Sequence, residues 1–118
     1  MTDIRIIKKP ITRTELKKIA KERFGDLVKA AVDIRQGIMA VGGELHVDME
    51  SLLVERENSI GTETWGINIY PENFGEDFVE FDSMINLKPA LGNRTRNVED
   101  EKLRKKIIGI VNDLIKEG

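Results

Sequence analysis

The apolar residues of this chain first alternate, then repeat at helical spacing, and then alternate again. Residues 4–7 are rich in isoleucine and predict a short strand that ends at Pro10. Thr12 and Glu15 then form the capping-box pattern that starts a helix. Gly37 can end that helix in the left-handed conformation. The buried stripe of the helix would consist of apolar residues three or four positions apart: Leu16, Ile19, Ala20, Phe24, Leu27, Val28, Ala31 and Ile34.

The middle of the chain has the two-residue period that is typical of β-strands. We predict a strand over residues 39–47 with a bulge at Gly42 and Gly43, and a second strand over residues 52–55. A third strand over residues 65–69 would end at Pro71, and a fourth over residues 79–87 at Pro89. Short connections between successive strands favour an antiparallel meander.

A last helix follows the strands. Asn97 can cap it, and Glu99, Asp100 and Glu101 fill its first turn, where the helix dipole favours acids. Two helices with one apolar face each require one apolar face of a sheet. We therefore predict a single α+β domain over residues 1–118. Its architecture would be a two-layer sandwich in which an antiparallel, mostly meander β-sheet carries the N-terminal and C-terminal helices on one face.

Length and composition narrow the class of protein. At 118 residues the chain has the size of one domain, and it lacks cysteine, which excludes disulfides and cysteine-based metal sites. The N-terminus has no apolar run and the apolar stretches are shorter than a membrane span. We therefore expect a soluble cytoplasmic protein without a membrane partner. Abundant isoleucine, lysine and glutamate indicate a heat-adapted source.

Charge is distributed unevenly along the chain. Residues 44–82 contain eleven acids and one base, Arg56, whereas both flanking segments are basic. Basic helix surfaces of one copy could meet the acidic sheet of another, so we expect a homodimer or another protein as partner. The net charge of −2 and the acidic sheet make nucleic acid an unfavourable partner.

One face of the predicted sheet would collect polar side chains. If the odd positions of each strand face the helices, the even positions share the other surface. That surface would hold the only histidine of the chain with carboxylates, carboxamides and a phenol: Glu44, His46, Asp48, Asn68, Tyr70, Glu80, Asp82, Asn86 and Lys88. We interpret this face as the first candidate ligand-binding surface.

The pattern Glu44-x-His46-x-Asp48 is the sharpest motif on that face. Alternate residues of a strand point the same way about 7 Å apart, so these three side chains could bracket one divalent ion. Two carboxylates and an imidazole suit manganese, iron or an oxygen-rich zinc site. The alternative is a solvated sheet face on which His46 hydrogen-bonds to a neighbouring acid. A third alternative is a catalytic or ligand-contacting His46 without a metal. We therefore expect no cofactor, with a divalent metal as the one exception that the motif leaves open.

The loop 92–97 is the second candidate surface. Asn93, Arg94 and Arg96 precede a helix N-terminus, an arrangement that can hold phosphate or carboxylate. The acids in the first turn of that helix would repel an anion. The alternative is that Arg94 and Arg96 pair with Glu80, Asp82 or the acidic first turn of the helix and fix the loop over the sheet edge.

Four segments stand out as longer motifs: GIMAVGGELH over residues 37–46, WGINIYP over 65–71, FDSMINLKP over 81–89 and GNR over 92–94. They resemble a small bacterial and archaeal family of conserved domains of unknown function, and the likeness spans residues 16–114. The family has no established activity, so the resemblance implies no mechanism. It implies that such proteins share these positions: Glu44, His46, Trp65, Asn68, Asp82, Asn86, Asn93 and Arg94.

Three classes of function remain open on the sequence alone. We favour a binding or interaction module whose polar sheet face and loop 93–96 recognise a small anion or a protein partner. The alternative is a metal-dependent or acid–base hydrolase centred on Glu44, His46 and Asp82. A nucleic-acid accessory protein that uses the basic first helix is the third.

Overall fold

The computed structural model describes residues 3–118, so Met1 and Thr2 of the predicted domain lie outside the described residues. Within residues 3–118 the chain forms three α-helices: α1 (Arg13–Lys21), α2 (His46–Glu57) and α3 (Glu101–Leu114). The strands of the same region are β1 (Arg5–Ile7), β2 (Ile11–Thr12), β3 (Val28–Asp33), β4 (Ile38–Val41), β5 (Thr64–Ile69), β6 (Val79–Glu80) and β7 (Ile115–Lys116). Short 3₁₀ turns lie at Gly61–Glu63, Gly75–Asp77, Met84–Asn86 and Pro89–Leu91.

Five of the strands form one antiparallel sheet in the order β1-β4-β3-β5-β6. The central strand β3 joins β4 through a tight turn at Gly37, and it pairs along its whole length with β5. β2 and β7 form a separate parallel pair that ties the C-terminal residues to the start of α1. The predicted α+β class, its antiparallel sheet and its N- and C-terminal helices are confirmed.

The larger core lies between one face of the sheet and the helices α1 and α3. Trp65, Ile67 and Ile69 of β5 face this core, as their alternation predicted. Helix α1 contributes Leu16 and Ile19, and α3 contributes residues of its predicted stripe: Ile107, Val111 and Leu114. Burial of these side chains is the main force that holds both helices to the sheet.

The other face of the sheet is also covered. Ala31 and Ala40 from β3 and β4 pack there against Met49 and Leu53 of α2, and Ile85 of a 3₁₀ turn packs against the same cluster. This face was predicted to be exposed and polar. The third helix α2 therefore gives the sheet a second buried side, and the small alanine side chains allow the helix to approach it closely.

The predicted helix over residues 16–34 is wrong in its second half. Helix α1 is capped by Thr12 as predicted, because the Thr12 hydroxyl accepts from Glu15 N at 3.1 Å, but the helix ends at Lys21. Gly25 has a φ of 92°, which an L side chain rarely adopts, and it redirects the chain into β3. Val28, Ala30 and Val32 alternate toward the core in β3. The apolar residues Val28, Ala31 and Ile34 of the same segment are three positions apart, and this spacing imitated a helical stripe.

The predicted strands over residues 39–47 and 52–55 are wrong beyond Val41. β4 ends there, Gly42 turns the chain with a φ of 92°, and α2 begins at His46 and includes residues 52–55. Of the predicted strand 79–87 only β6 forms, and residues 84–86 make a 3₁₀ turn. The predicted cap Asn97 is replaced by Asp100, whose carboxylate accepts from Lys102 N at 2.9 Å.

Candidate functional site

A cleft of about 430 Å³ lies where the N-terminus of α2 meets the sheet and the loop before α3. We call it the His46 cleft. It is lined by Lys29, Leu45, His46, Val47, Asn68, Asp82, Ser83, Met84, Ile85 and Arg96. Four of the side chains predicted from sequence, namely His46, Asn68, Asp82 and Arg96, are thus brought together.

Helix α2 begins without a side-chain cap. Leu45 occupies the N-cap position, and its side chain has no acceptor for the first backbone amides. Asp48 N bonds to Leu45 O at 3.2 Å, whereas the amides of His46 and Val47 have no acceptor within residues 3–118. The first turn of a helix carries partial positive charge, so this end of the cleft can accept an anion.

His46 is held against the sheet by its ring. Its Nε2 lies 2.8 Å from Ile67 O, and because a carbonyl only accepts, Nε2 must carry the proton in the neutral ring. Burial lowers the pKa of His46 below 6.5, and the nearby Lys29 ammonium lowers this pKa further. The hydrogen bond to Ile67 O and the neighbouring Asn68 side chain raise this pKa without reversing the shift. At neutral pH the imidazole is therefore an uncharged wall of the cleft.

Asn68 has an amide oxygen to which no group of the described chain donates a hydrogen bond. Its Nδ2 donates to Glu80 Oε1 at 2.8 Å, which fixes the orientation of the amide because the flipped amide would turn Oδ1 toward the carboxylate. Asn68 Oδ1 is buried and has no hydrogen-bond partner among the described residues. The Tyr70 hydroxyl also donates to Glu80 Oε1, at 3.0 Å, so Tyr70 and Asn68 share one carboxylate oxygen, and Tyr70 itself lies outside the lining of the cleft.

Asp82 and Arg96 form an ion pair at the mouth of the cleft. Arg96 Nε lies 2.6 Å from Asp82 Oδ1, and both side chains are about half exposed, at 55% and 45%. Lys29 is the second cation of the cleft, and its ammonium lies 5.0 Å from the centre of the Phe24 ring. The lining thus combines two cations, one carboxylate and a neutral imidazole.

Residues 5–114 match a family that is described as a protein of unknown function, DUF5674. The chain belongs to the DUF5674 family. No curated protein and no solved structure matches it. The predicted resemblance to an uncharacterised conserved family is confirmed. Within residues 3–118, no helix has the length and apolar character needed to cross a membrane.

The DUF5674 fold separates the three residues of the predicted metal motif. Glu44 lies in the loop before α2 and pairs with Arg23 at 3.4 Å, His46 binds the Ile67 carbonyl, and Asp48 is exposed in the first turn of α2. The strand geometry that made one divalent ion plausible is therefore absent. Across residues 3–118, no three His, Asp or Glu side chains lie close enough to hold a metal ion.

The side chains of Asn86 and Asn93 form hydrogen bonds with the backbone of the protein. Asn86 is fully buried against the Gly66 backbone. Asn93 Nδ2 shares its two hydrogens among three carbonyls of the surrounding loop, which lie within 3.1 Å, and its Oδ1 accepts from Glu99 N at 2.9 Å. Both side chains are buried and their polar atoms are hydrogen-bonded, so neither lines the His46 cleft. They hold the loop that carries Arg96 in place.

The loop predicted to bind an external anion already binds the side-chain carboxylate of Glu99. The Glu99 carboxylate accepts from Arg94 N at 2.7 Å, from Thr95 N at 3.0 Å and from Thr95 Oγ1 at 3.0 Å. These hydrogen bonds, that of Arg94 N first, lower the pKa of Glu99. The backbone nest is thus already filled, and Arg94 lies outside the cleft while Arg96 lines it.

Sequence reasoning missed Lys29 and the apolar rim of the cleft. Lys29 was placed on a helix, although a lysine inside the apolar run of residues 28–32 is itself a signal of a strand with one polar position. Leu45, Val47 and Met84 are exposed apolar residues around the cleft, and no periodicity distinguishes them from core residues. A wider groove of about 760 Å³ beside α3 contains none of the predicted site residues.

Proposed function

We propose that the His46 cleft binds a small organic anion. The observation that carries the proposal is that the uncapped N-terminus of α2 opens on the same cleft as Lys29 and Arg96. Helix amides, an ammonium and a guanidinium are the groups with which proteins bind carboxylates and phosphates. Within the lining, Lys29 and Arg96 carry two positive charges against the one negative charge of Asp82. Asp48, in the first turn of α2, is exposed to water and lies outside the lining.

The rim of the cleft suits an apolar part of the ligand. Leu45, Val47 and Met84 are 53%, 49% and 62% exposed, more than hydrophobic side chains of a core would be. A volume of about 430 Å³ is larger than an inorganic anion needs and lies in the range of small-molecule sites. We therefore expect a ligand in which a carboxylate or phosphate is attached to a small apolar group.

Arg96 can exchange its present partner for the ligand. Its ion pair with Asp82 is about half exposed to water, and exposed pairs contribute at most about 1 kcal/mol. The backbone of Arg96 stays in place, because its carbonyl accepts from Asn86 Nδ2 and from Ser83 N. Binding would therefore require movement of a side chain and not of the loop.

A titration followed by ¹H–¹⁵N NMR tests this proposal. We expect benzoate, and more weakly sulfate, to shift the amide signals of residues 46–48 and of Lys29, Asn68 and Arg96, while α3 is unaffected. Arg96→Gln should weaken benzoate binding roughly tenfold, because a charge-assisted hydrogen bond is lost. Arg94→Gln is the matched control: it removes the same charge from the same loop outside the cleft, and should change the affinity less than twofold.

Two results would contradict the proposal. One is the absence of shifts around α2 with either anion at low ionic strength, where screening is weakest. The other is an equal loss of affinity in Arg96→Gln and Arg94→Gln, which would indicate attraction by net charge and not a site.

A further inference from the structure

The His46 cleft contains hydrogen-bond acceptors that a simple anion cannot use. Asn68 lines the cleft with only 7% of its surface exposed, and its Oδ1 has no donor among the described residues. The Asp82 carboxylate lines the same cleft and is about half exposed. An unpaired acceptor and a carboxylate both disfavour a ligand that is only negative. A ligand that fits must bring a donor as well as a negative charge.

We infer that the cleft takes an α-amino acid with an apolar side chain, an inference that rests on the proposed anion-binding function. The carboxylate would meet the amides at the start of α2 and the Arg96 guanidinium. The ammonium would donate to Asp82, and a shift of the cleft wall would bring it to the Asn68 amide oxygen, which is buried in the free protein. The apolar side chain would lie on Leu45, Val47 and Met84, the exposed rim of the cleft.

The charges of the cleft match such a ligand. In the free protein Arg96 and Asp82 neutralise each other at 2.6 Å. A zwitterion lets each exchange its partner for an opposite charge of the ligand, so that no charge in the cleft loses its counterion. A carboxylate without an ammonium would release Asp82 from Arg96 and leave it unpaired, beside a second negative charge. An amine without a carboxylate would leave Arg96 unpaired in the same way.

Three compounds that share one carbon skeleton test this inference: leucine, 4-methylpentanoate, which lacks only the ammonium, and 3-methylbutylamine, which lacks only the carboxylate. Dissociation constants are measured by NMR titration of the full chain. We expect leucine to bind at least tenfold more tightly than either analogue. If 4-methylpentanoate binds as tightly as leucine, the inference is overturned while anion binding stands. If the amine binds as tightly as leucine, or if no compound binds, the inference and the proposed function both fail.

Asp82→Asn provides a second test with effects of opposite sign. The variant should weaken leucine binding at least fivefold, because the ammonium loses its charged acceptor, and should strengthen 4-methylpentanoate binding, because a repulsive charge is removed. Asp113→Asn, on the exposed surface of α3, makes the same change in net charge and should alter neither constant. Equal changes for both ligands in Asp82→Asn would overturn the inference. An unchanged amide spectrum outside the cleft shows that the variant is folded.

Discussion

Asn86 pairs with the backbone of Gly66 as a neighbouring strand would. Its Oδ1 accepts from Gly66 N at 2.8 Å, and its Nδ2 donates to Gly66 O at 2.9 Å. Strand β6 reaches only Asn68 and Ile69 of β5, so one side chain continues the hydrogen bonding where the strand has ended. The same Nδ2 donates to Arg96 O at 2.9 Å, which links this edge of the sheet to the loop that presents Arg96.

We expect Asn86→Ala to lower the free energy of unfolding by about 2–4 kcal/mol, because it leaves a buried amide and buried carbonyls without partners. Asn86→Asp keeps the shape of the side chain and the oxygen that accepts from Gly66 N, but it places a carboxylate oxygen against the carbonyls of Gly66 and Arg96. We expect it to lower the free energy of unfolding by at least as much as Asn86→Ala. Urea denaturation measures both. Asn112→Ala, at an exposed helical position, is the control and should leave the free energy of unfolding unchanged or slightly higher, because alanine favours a helix over asparagine. A loss below about 1 kcal/mol in Asn86→Ala would contradict this role.

Gly66 is also a point of close packing. A Cβ at this position would lie 2.5 Å from Ser83 Cβ and Oγ. Gly66→Ala should therefore destabilise the protein by about 1–3 kcal/mol, since the 83–86 segment must shift. Gly109→Ala in α3 is the matched control: nothing lies within 4 Å of its added Cβ, and alanine favours a helix by up to about 1 kcal/mol. Thermal unfolding of the two variants should move in opposite directions. A Gly66→Ala protein as stable as the wild type would refute the packing argument.

The strands that line the larger core were predictable because their side chains alternate between two environments. Trp65, Ile67 and Ile69 face the core while Gly66 and Asn68 face the other side, so the two-residue period appears in the sequence of β5. The stripe of α3 was predictable for the corresponding reason, since that helix is buried along one side only.

Helix α2 was not predictable from periodicity. Only Met49 and Leu53 of this helix are fully buried, while Val47 and Val54 are 49% and 43% exposed. Its apolar residues therefore lie on all sides of the helix and form no single stripe. Leu52 and Val54 are two positions apart, which is the spacing of a strand. The missing N-cap acceptor, which contributes to the candidate site, also removed the usual sequence signal of a helix start.

The composition of the candidate site was partly predictable, although its geometry was not. Asn68 and Asp82 lie on the side of the sheet away from α1 and α3 as alternation predicted, and His46 reaches them from a helix and not from a strand. Asn86 and Asn93 illustrate the limit of such reasoning. A carboxamide that binds the backbone and one that binds a ligand look alike in a sequence, and only burial and partners distinguish them.

Asp33 holds the turn between β3 and β4 and the end of α2 together. Its carboxylate accepts from Arg35 N, Gln36 N and Gln36 Nε2, and from Ser59 Oγ at 2.6 Å. Burial raises the pKa of Asp33, but these hydrogen bonds, that of Ser59 first, outweigh burial and lower the pKa below its ordinary value. The stabilisation is therefore complete above the pKa of an unfolded aspartate, about 4, and is lost as the pH falls through the lower folded value.

We accordingly expect Asp33→Asn to destabilise the protein by about 2–3 kcal/mol at pH 7. The amide NH2 of asparagine would replace one of the two carboxylate oxygens and would face groups that themselves donate hydrogen bonds. Ser59→Ala removes one of the four hydrogen bonds and should cost about 1 kcal/mol. Guanidinium denaturation at pH 7 and at pH 3 is the measurement. The difference between wild type and Asp33→Asn should narrow at the lower pH, and a difference independent of pH would argue against an ionised Asp33.

His46 should make stability depend on pH near neutrality. Burial first, and then the charge of Lys29, lower its pKa below the 6.5 of an ordinary histidine, so the unfolded chain binds the proton more readily. The contribution of His46 to the free energy of unfolding is therefore complete above about pH 6.5 and falls as the pH drops toward the lowered folded value. Because the chain has one histidine, its imidazole signal in NMR reports this pKa without ambiguity.

His46→Gln isolates this effect, because the glutamine amide can still donate to Ile67 O but does not titrate. We expect the wild type to lose stability between pH 7.5 and pH 5.5 relative to His46→Gln, with urea midpoints as the measurement. The carboxylates are common to both proteins, so their titration cancels in the comparison. Parallel pH profiles, or an imidazole pKa at or above 6.5, would mean that the ring is solvated and does not form a neutral wall of the cleft.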